Sequence, residues 1–329
     1  MFLEILWLLI GLVLIVKGGE WFVAAAVRVA EFLRMPRVVI GSTLVSLATT
    51  SPEMVVSIMS GLKGQSGLAV GNAVGSCICN IGLILGVTAA IKHVDVHAGV
   101  LRTPLIAMFV CGAVLLVLTL DLTLTRWQGA LLLVCGAGYF AWDFWQHYRN
   151  RKPADLVEAT AIEKEVAATR WAWLQSRPGT AVQFAAGAAV VVLGSKWLVD
   201  GAVGVAGRLG ISPMIIGLTV IAVGTSLPEL VTAITSSRKA VSDLAVGNVL
   251  GANIANLTLI VGAAAVIQDV KMDRLTQLFN FPAMLAVMGL LLWMLLTDRR
   301  VTRREGVMLL VTYVIYIKVL IVLTLTVGR

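Results

Sequence analysis

Ala48-Thr49-Thr50-Ser51-Pro52-Glu53 returns 176 positions later as Gly224-Thr225-Ser226-Leu227-Pro228-Glu229. Each copy sets a Thr, a second hydroxyl residue, a Pro and a Glu inside an apolar run long enough to cross a membrane. A charge near the bilayer centre costs about 2.5–3.5 kcal/mol on insertion scales. Two such costs at matching places point to a cation site shared between two halves of the chain.

The surrounding composition supports a membrane setting. Of 329 residues, 59% are hydrophobic and 13% charged, and the mean hydropathy is +0.93. A soluble chain carries about a quarter charged residues. The apolar cores run to about 20 residues, the length of spanning helices rather than of barrel strands. The first, from Phe2, has no basic leader and continues past Trp21, so no removable signal peptide is expected. The net charge of +8 is scattered over short loops and reads as membrane orientation, not nucleic-acid binding. Cys77, Cys79, Cys111 and Cys135 lie in apolar segments and read as buried thiols.

Ten spans are predicted: 2–31, 36–61, 68–91, 99–120, 127–148, 180–207, 213–237, 244–268, 276–297 and 304–326. The first and sixth are long enough to tilt or kink. Residues 40–91 align without a gap on 216–267, with roughly half the positions identical. Leu68-Ala69-Val70-Gly71-Asn72 meets Leu244-Ala245-Val246-Gly247-Asn248, and Gly75, Ile78 and Asn80 meet Gly251, Ile254 and Asn256. Five spans per half is an odd number, so the second half sits upside down relative to the first. Inverted repeats with a site at their interface mark secondary transporters. The expected fold class is therefore an all-α polytopic membrane protein, ten transmembrane helices arranged as two inverted five-helix repeats. Its units are a first repeat over 1–148, a linker loop over 149–178 and a second repeat over 179–329. The linker's middle could form a short amphipathic helix.

Arg and Lys set the orientation. One side collects Arg28, Arg34, Arg37, Lys92, Arg102, the 149–177 charges, Arg238, Lys239, Arg299, Arg300, Arg303 and Arg304. The other holds Lys63, Arg126, Arg208, Lys271, Arg274 and Arg329. The first side is read as cytoplasmic, with both termini outside.

Pro52 and Pro228 have no N–H, so the carbonyls of Ala48 and Gly224 lose their helical donors. Thr49 and Thr50 stand four and three residues before Glu53, and all three can share a face. Thr225, Ser226 and Glu229 repeat this arrangement. Carboxylate, hydroxyl and carbonyl oxygens together suit a hard cation; calcium takes six to eight oxygens. Asn72, Ser76 and Asn80 follow at steps of four in the third span, opposite Asn248, Ala252 and Asn256 in the eighth. Asn80 and Asn256 can add amide oxygens, whereas Asn72 and Asn248 divide evenly between ligand and packing roles. Glu20, Lys196 and Asp200 read as interhelical pairs or cavity lining. His93 and His97, four apart, sit in a short connection. No nucleotide loop or nucleophile triad appears, so no enzyme and no cofactor are expected.

The paired motifs resemble the α-repeats of the sodium/calcium exchanger (cation/calcium antiporter) family, in its compact bacterial inner-membrane form. The usual pattern is G-T-S-x-P-E followed by G-S-N-I-x-N or G-S-N-I-x-D. Here the later motifs read Gly75-Ser76-Cys77-Ile78-Cys79-Asn80 and Gly251-Ala252-Asn253-Ile254-Ala255-Asn256. The resemblance implies a calcium exporter driven by sodium, working by alternating access, with spans 2–31 and 180–207 sliding on a bundle. The implied ion ligands are Glu53, Glu229, Asn80, Asn256, Ser76, Thr49, Thr50, Thr225 and Ser226, with backbone carbonyls near 46–48 and 222–224. Its partners are calcium and sodium ions and the lipid bilayer; protein partners are not legible. Sodium-coupled relatives carry a third carboxylate at the place of Asn256, Ala252 lacks the hydroxyl matching Ser76, and Cys77 and Cys79 replace an Asn and an apolar residue. With two carboxylates, a calcium/proton antiporter is the alternative. A lipid-phosphate enzyme would need Arg or Lys beside the motif, and neither 48–59 nor 224–236 holds one. A channel would lack stoichiometric, saturable exchange.

Overall fold

The computed structural model describes residues 2–32, 46–95, 98–149, 173, 176–211, 213–238, 242–297 and 300–327. Most of the linker (150–172, 174 and 175), the entry to the second span with Ile40, Gly41 and Thr43, and His97 lie outside the described residues. So do Arg34, Arg37, Lys239 and Arg299.

The chain is mostly helical. In the first half, α1 is Phe2–Phe32, α2 Ser46–Thr49, α3 Ser51–Leu62, α4 Ser66–Cys79, α5 Gly86–Ile91, α6 Ala98–Leu118 and α7 Arg126–Arg149. In the second half, α8 is Arg177–Leu209, α9 Pro213–Ile216, α10 Ala222–Thr225, α11 Leu227–Arg238 and α12 Ser242–Ala255. It continues through α13 Val261–Ile267, α14 Phe281–Thr297 and α15 Arg303–Val327. Wider π turns carry the chain across Asn80–Leu85, Gly217–Ile221, Asn256–Ile260 and Thr276–Asn280.

Among the described residues, five helical stretches are long and apolar enough to cross a membrane: Ser66–Ile91, Arg177–Leu209, Ala245–Ile267, Thr276–Thr297 and Arg303–Thr324. Ser66–Ile91 and Ala245–Ile267 are 78% buried over their most apolar windows, against 28% for Arg303–Thr324. The two motif-bearing stretches are therefore the centre, and α15 is a shell. Its exposed face carries Val307, Val311, Val314, Ile315, Ile321 and Val322. So continuous an apolar surface suits lipid rather than water. Cys135 belongs to such a face on α7, beside the exposed Leu131 and Val134, so it departs from the buried-thiol expectation; Cys77 and Cys79 meet it.

Close backbone approach explains several glycines. A Cβ on Gly71 would stand 2.3 Å from the Met214 carbonyl oxygen, and one on Gly217 2.6 Å from that of Leu68. These contacts press α4 against the helix of the other half that leads to the second motif. The long helices α1 and α8 run antiparallel and equally close. A Cβ on Gly11 would lie 2.5 Å from Leu198 N, and one on Gly194 2.9 Å from the Gly11 oxygen. Small residues permit this in membranes, where packing rather than hydrophobic force drives association. Trp7 and Trp197 lean together at 5.0 Å, Arg208 meets Glu4 at 2.6 Å, and Arg28 donates to Gln183. Against the bundle this pair presents an apolar face: Ile15, Leu198, Val199, Ala202 and Ala206 pack on Val56, Leu68, Ile216 and Ile221.

Among the described residues, two short antiparallel ladders complete the fold. Strand β1 (Val94–Asp95) pairs with β4 (Arg300–Val301), and β2 (Thr123–Leu124) with β3 (Val270–Lys271). Each ladder takes one strand from each half. They stand at opposite ends of α6, whose 21 residues span about 31 Å.

Candidate ion site

Both motif helices break at the same place. α2 and α3 meet at Thr50, with φ −81° and ψ 1°, and α10 and α11 meet at Ser226, with φ −85° and ψ 7°. The prolines two residues later cannot donate to the preceding turn, which sets the break where Ala48 and Gly224 carry their carbonyls. Glu53 and Glu229 follow in the first turn of the resumed helices. Backbone donors at a helix start favour a carboxylate. Helices α4 and α12 loosen too, into π turns that begin at Asn80 and Asn256. Such turns are rare and recur at functional sites.

Hydrogen bonds cross between the halves in matched pairs. Thr49 Oγ1 donates to Asn248 Oδ1 at 3.2 Å, and Thr225 Oγ1 to Asn72 Oδ1 at 3.2 Å. The same 176-residue offset relates donors and acceptors, so the duplication persists at the level of single side chains. Asn72 and Asn248 thus hold the opposite half's threonine. Asn72 Nδ2 also reaches Ser57 Oγ at 3.3 Å, where the second half has Ala233 and leaves Asn248 Nδ2 without a partner. Thr50 Oγ1 donates to Ser46 O at 2.6 Å. A hydroxyl whose proton is spent on a carbonyl still offers its lone pairs.

Ser226 Oγ donates to Glu53 Oε1 at 3.1 Å, and the two carboxyl groups lie close enough to interact. Thr49 faces Glu229 and Thr225 faces Glu53 without completing a hydrogen bond to either. All nine expected site residues are buried. Six of their oxygens have no hydrogen-bond partner: Glu53 Oε2, both Glu229 oxygens, Ser76 Oγ, Asn80 Oδ1 and Asn256 Oδ1. Buried polar atoms are otherwise almost always satisfied, and unpaired buried carboxylates are costly.

One residue at this junction had no role in the sequence reading. Asn253 Oδ1 accepts from Asn80 Nδ2 at 2.9 Å. The signal was present: at this motif position one half has Asn and the other Cys77.

The other acidic groups named above are engaged elsewhere. Asp200 pairs with Lys63 of the bundle, as interhelical pairing required, while Glu20 pairs along its own helix with Lys17 at 2.9 Å. Among the described residues no three His, Cys, Asp or Glu gather into a metal-type cluster, so the junction carries two carboxylates.

A buried, oxygen-lined junction between two matched halves of a membrane bundle defines an ion transporter. The comparisons with known proteins agree: the sodium/calcium exchanger protein family matches residues 3–145 and 179–322, and the chain belongs to it. It is 32% identical to a putative antiporter, CaxA, of Alkalimonas amylolytica, over 96% of this chain and 98% of that protein. It is 35% identical to the inner membrane protein YrbG of Escherichia coli, over 87% of each. The solved structure of the sodium-calcium exchanger NCX_Mj superposes with a TM-score of 0.66 at 27% identity, covering 97% of this chain and 99% of that one. The chain is accordingly a multi-pass membrane antiporter and not an enzyme.

Proposed function

We propose that the protein exports calcium in exchange for sodium by alternating access. The observation that carries this reading is the set of six unpartnered, fully buried oxygens at the junction of the halves. Their number and chemistry match a calcium shell of six to eight oxygens. Glu53 and Glu229 supply the charge, Asn80, Asn256 and Ser76 the neutral oxygens. Thr49, Thr50, Thr225, Ser226 and the carbonyls near 46–48 and 222–224 complete the places for calcium or sodium. Sodium/calcium exchange is the activity named for the family and for NCX_Mj.

The architecture in this reading is ten transmembrane helices in two inverted repeats, 1–148 and 179–329, joined by a cytoplasmic linker over 149–178. Both termini lie outside an inner membrane, the setting that YrbG's name states for that relative. The α1–α8 pair slides as one unit. Its apolar contact with the bundle supports this, because sliding apolar faces breaks few directional bonds.

Calcium-45 flux in proteoliposomes tests the reading, with sodium and proton gradients imposed separately. A sodium gradient should drive calcium uphill and a proton gradient of equal size should not. Proton-driven flux without sodium dependence overturns the coupling.

A further inference from the structure

We propose that Asn253 is a positioning residue: it holds the Asn80 amide nitrogen so that the Asn80 carbonyl oxygen faces the ion, while Cys77 gives Asn256 no matching hold. The inference rests on Asn80 and Asn256 being ion ligands.

The orientation follows from donor and acceptor counting. Asn253 Nδ2 meets two acceptors, Cys77 O and Met108 Sδ, each at 3.4 Å. Its other end is therefore the oxygen, and only the NH2 end of Asn80 can meet that oxygen. The contact, 2.9 Å long, crosses from one half to the other inside a fully buried region. Asn80 Oδ1 is thereby turned away from Asn253 and has no partner in the protein. Flipping the Asn80 amide would set oxygen against oxygen, so Asn80 is locked as an oxygen donor.

The offset of 176 places Cys77 where the second half has Asn253, and Met284 where the first has Met108. Residues 77 and 253 face each other: Cys77 Sγ points at the Asn253 carbonyl oxygen, 3.7 Å away. A thiol is a weak donor and a weak acceptor, and it cannot dictate the direction of an amide. Asn256 accordingly lies beside the Cys77 thiol, but neither of its amide atoms completes a hydrogen bond there. It can present oxygen or NH2 to the site at the cost of no more than a weak thiol contact. The two halves, alike in their Glu and Thr residues, thus offer one fixed and one swivelling amide.

Groups that orient metal ligands typically change affinity 10–100-fold when removed. The test is calcium-45 uptake into sodium-loaded proteoliposomes, read as KM and kcat. Asn80→Ala must raise KM; if it does not, the ligand assignment fails, and the proposal with it. Asn253→Ala should raise KM at least tenfold with little change in kcat. In an Asn80→Ala background it should add nothing, and additive effects overturn the proposal. Cys77→Asn, which places at 77 the residue found at 253, should lower KM severalfold, and the gain should vanish with Asn256→Ala. This second pair decides the matter if Asn253→Ala does not reach the membrane: an unchanged KM in Cys77→Asn then counts against the proposal.

Discussion

Clamping the membrane potential while calcium equilibrates across a proteoliposome membrane probes the charge of the site. In the proposed function the ionised site carries −2, from Glu53 and Glu229. Asp200 is held by Lys63, Glu20 by Lys17 and Glu4 by Arg208, so none of them adds to it. One calcium ion or two sodium ions neutralise −2, whereas three sodium ions leave +1 in a low-dielectric interior, where unpaired charge is expensive. The expected cycle is therefore two sodium ions per calcium ion, with no net charge moved. Moving one charge across 100 mV is worth about 2.3 kcal/mol. A three-for-one exchanger would consequently shift its equilibrium calcium ratio about fiftyfold per 100 mV, since about 1.4 kcal/mol is tenfold. The unmodified protein should show almost no shift under potassium–valinomycin clamping. Asn256→Asp restores a third carboxylate and should bring the response toward fiftyfold. Asp200→Asn, which breaks a partly exposed ion pair outside the site, should leave the response flat. A tens-of-fold shift in the unmodified protein refutes the charge count.

Other expectations follow from the same geometry. Glu53→Gln or Glu229→Gln should abolish calcium exchange with normal protein in the membrane, and near-normal flux in either variant removes that residue from the site. Gly11→Val should force α1 from α8, because even a Cβ meets backbone at 2.5 Å; a loss of about 1–3 kcal/mol is expected, read as a lower unfolding temperature in detergent. Unchanged thermal stability would show that the pair has room to spare. Calcium should slow modification of Cys77, which sits against Asn253, more than that of Cys135 on the outer face of α7. Equal protection of both thiols removes Cys77 from the ion path.

Much of this was legible in the amino-acid order, for reasons that differ by feature. The duplication is visible because 176 is a constant offset over a long gapless stretch. The helix breaks at Thr50 and Ser226 are visible because proline lacks a donor whatever its surroundings. Glu53 and Glu229 stand out because charge in an apolar run is costly. The cross-half bonds of Asn72 and Asn248 were not decidable, since an amide on a helix face serves packing and binding alike. Asn253 was overlooked because its role depends on which way Asn80 turns, and that is set by a contact between residues 173 positions apart. The π turns have no periodicity of their own, and two-residue strands are too short to show alternation.

Those strands bear on how the protein is made. Because each ladder among the described residues needs one strand from each half, the first half leaves the ribosome with β1 and β2 unpaired; β2 closes only once β3 is made, and β1 only once β4 follows. Ladder closure at the two ends of α6 is then a late event in biogenesis, one that registers the arrival of the second half. Two halves encoded on separate messages would carry the same four strands, with two antiparallel registers in which to meet.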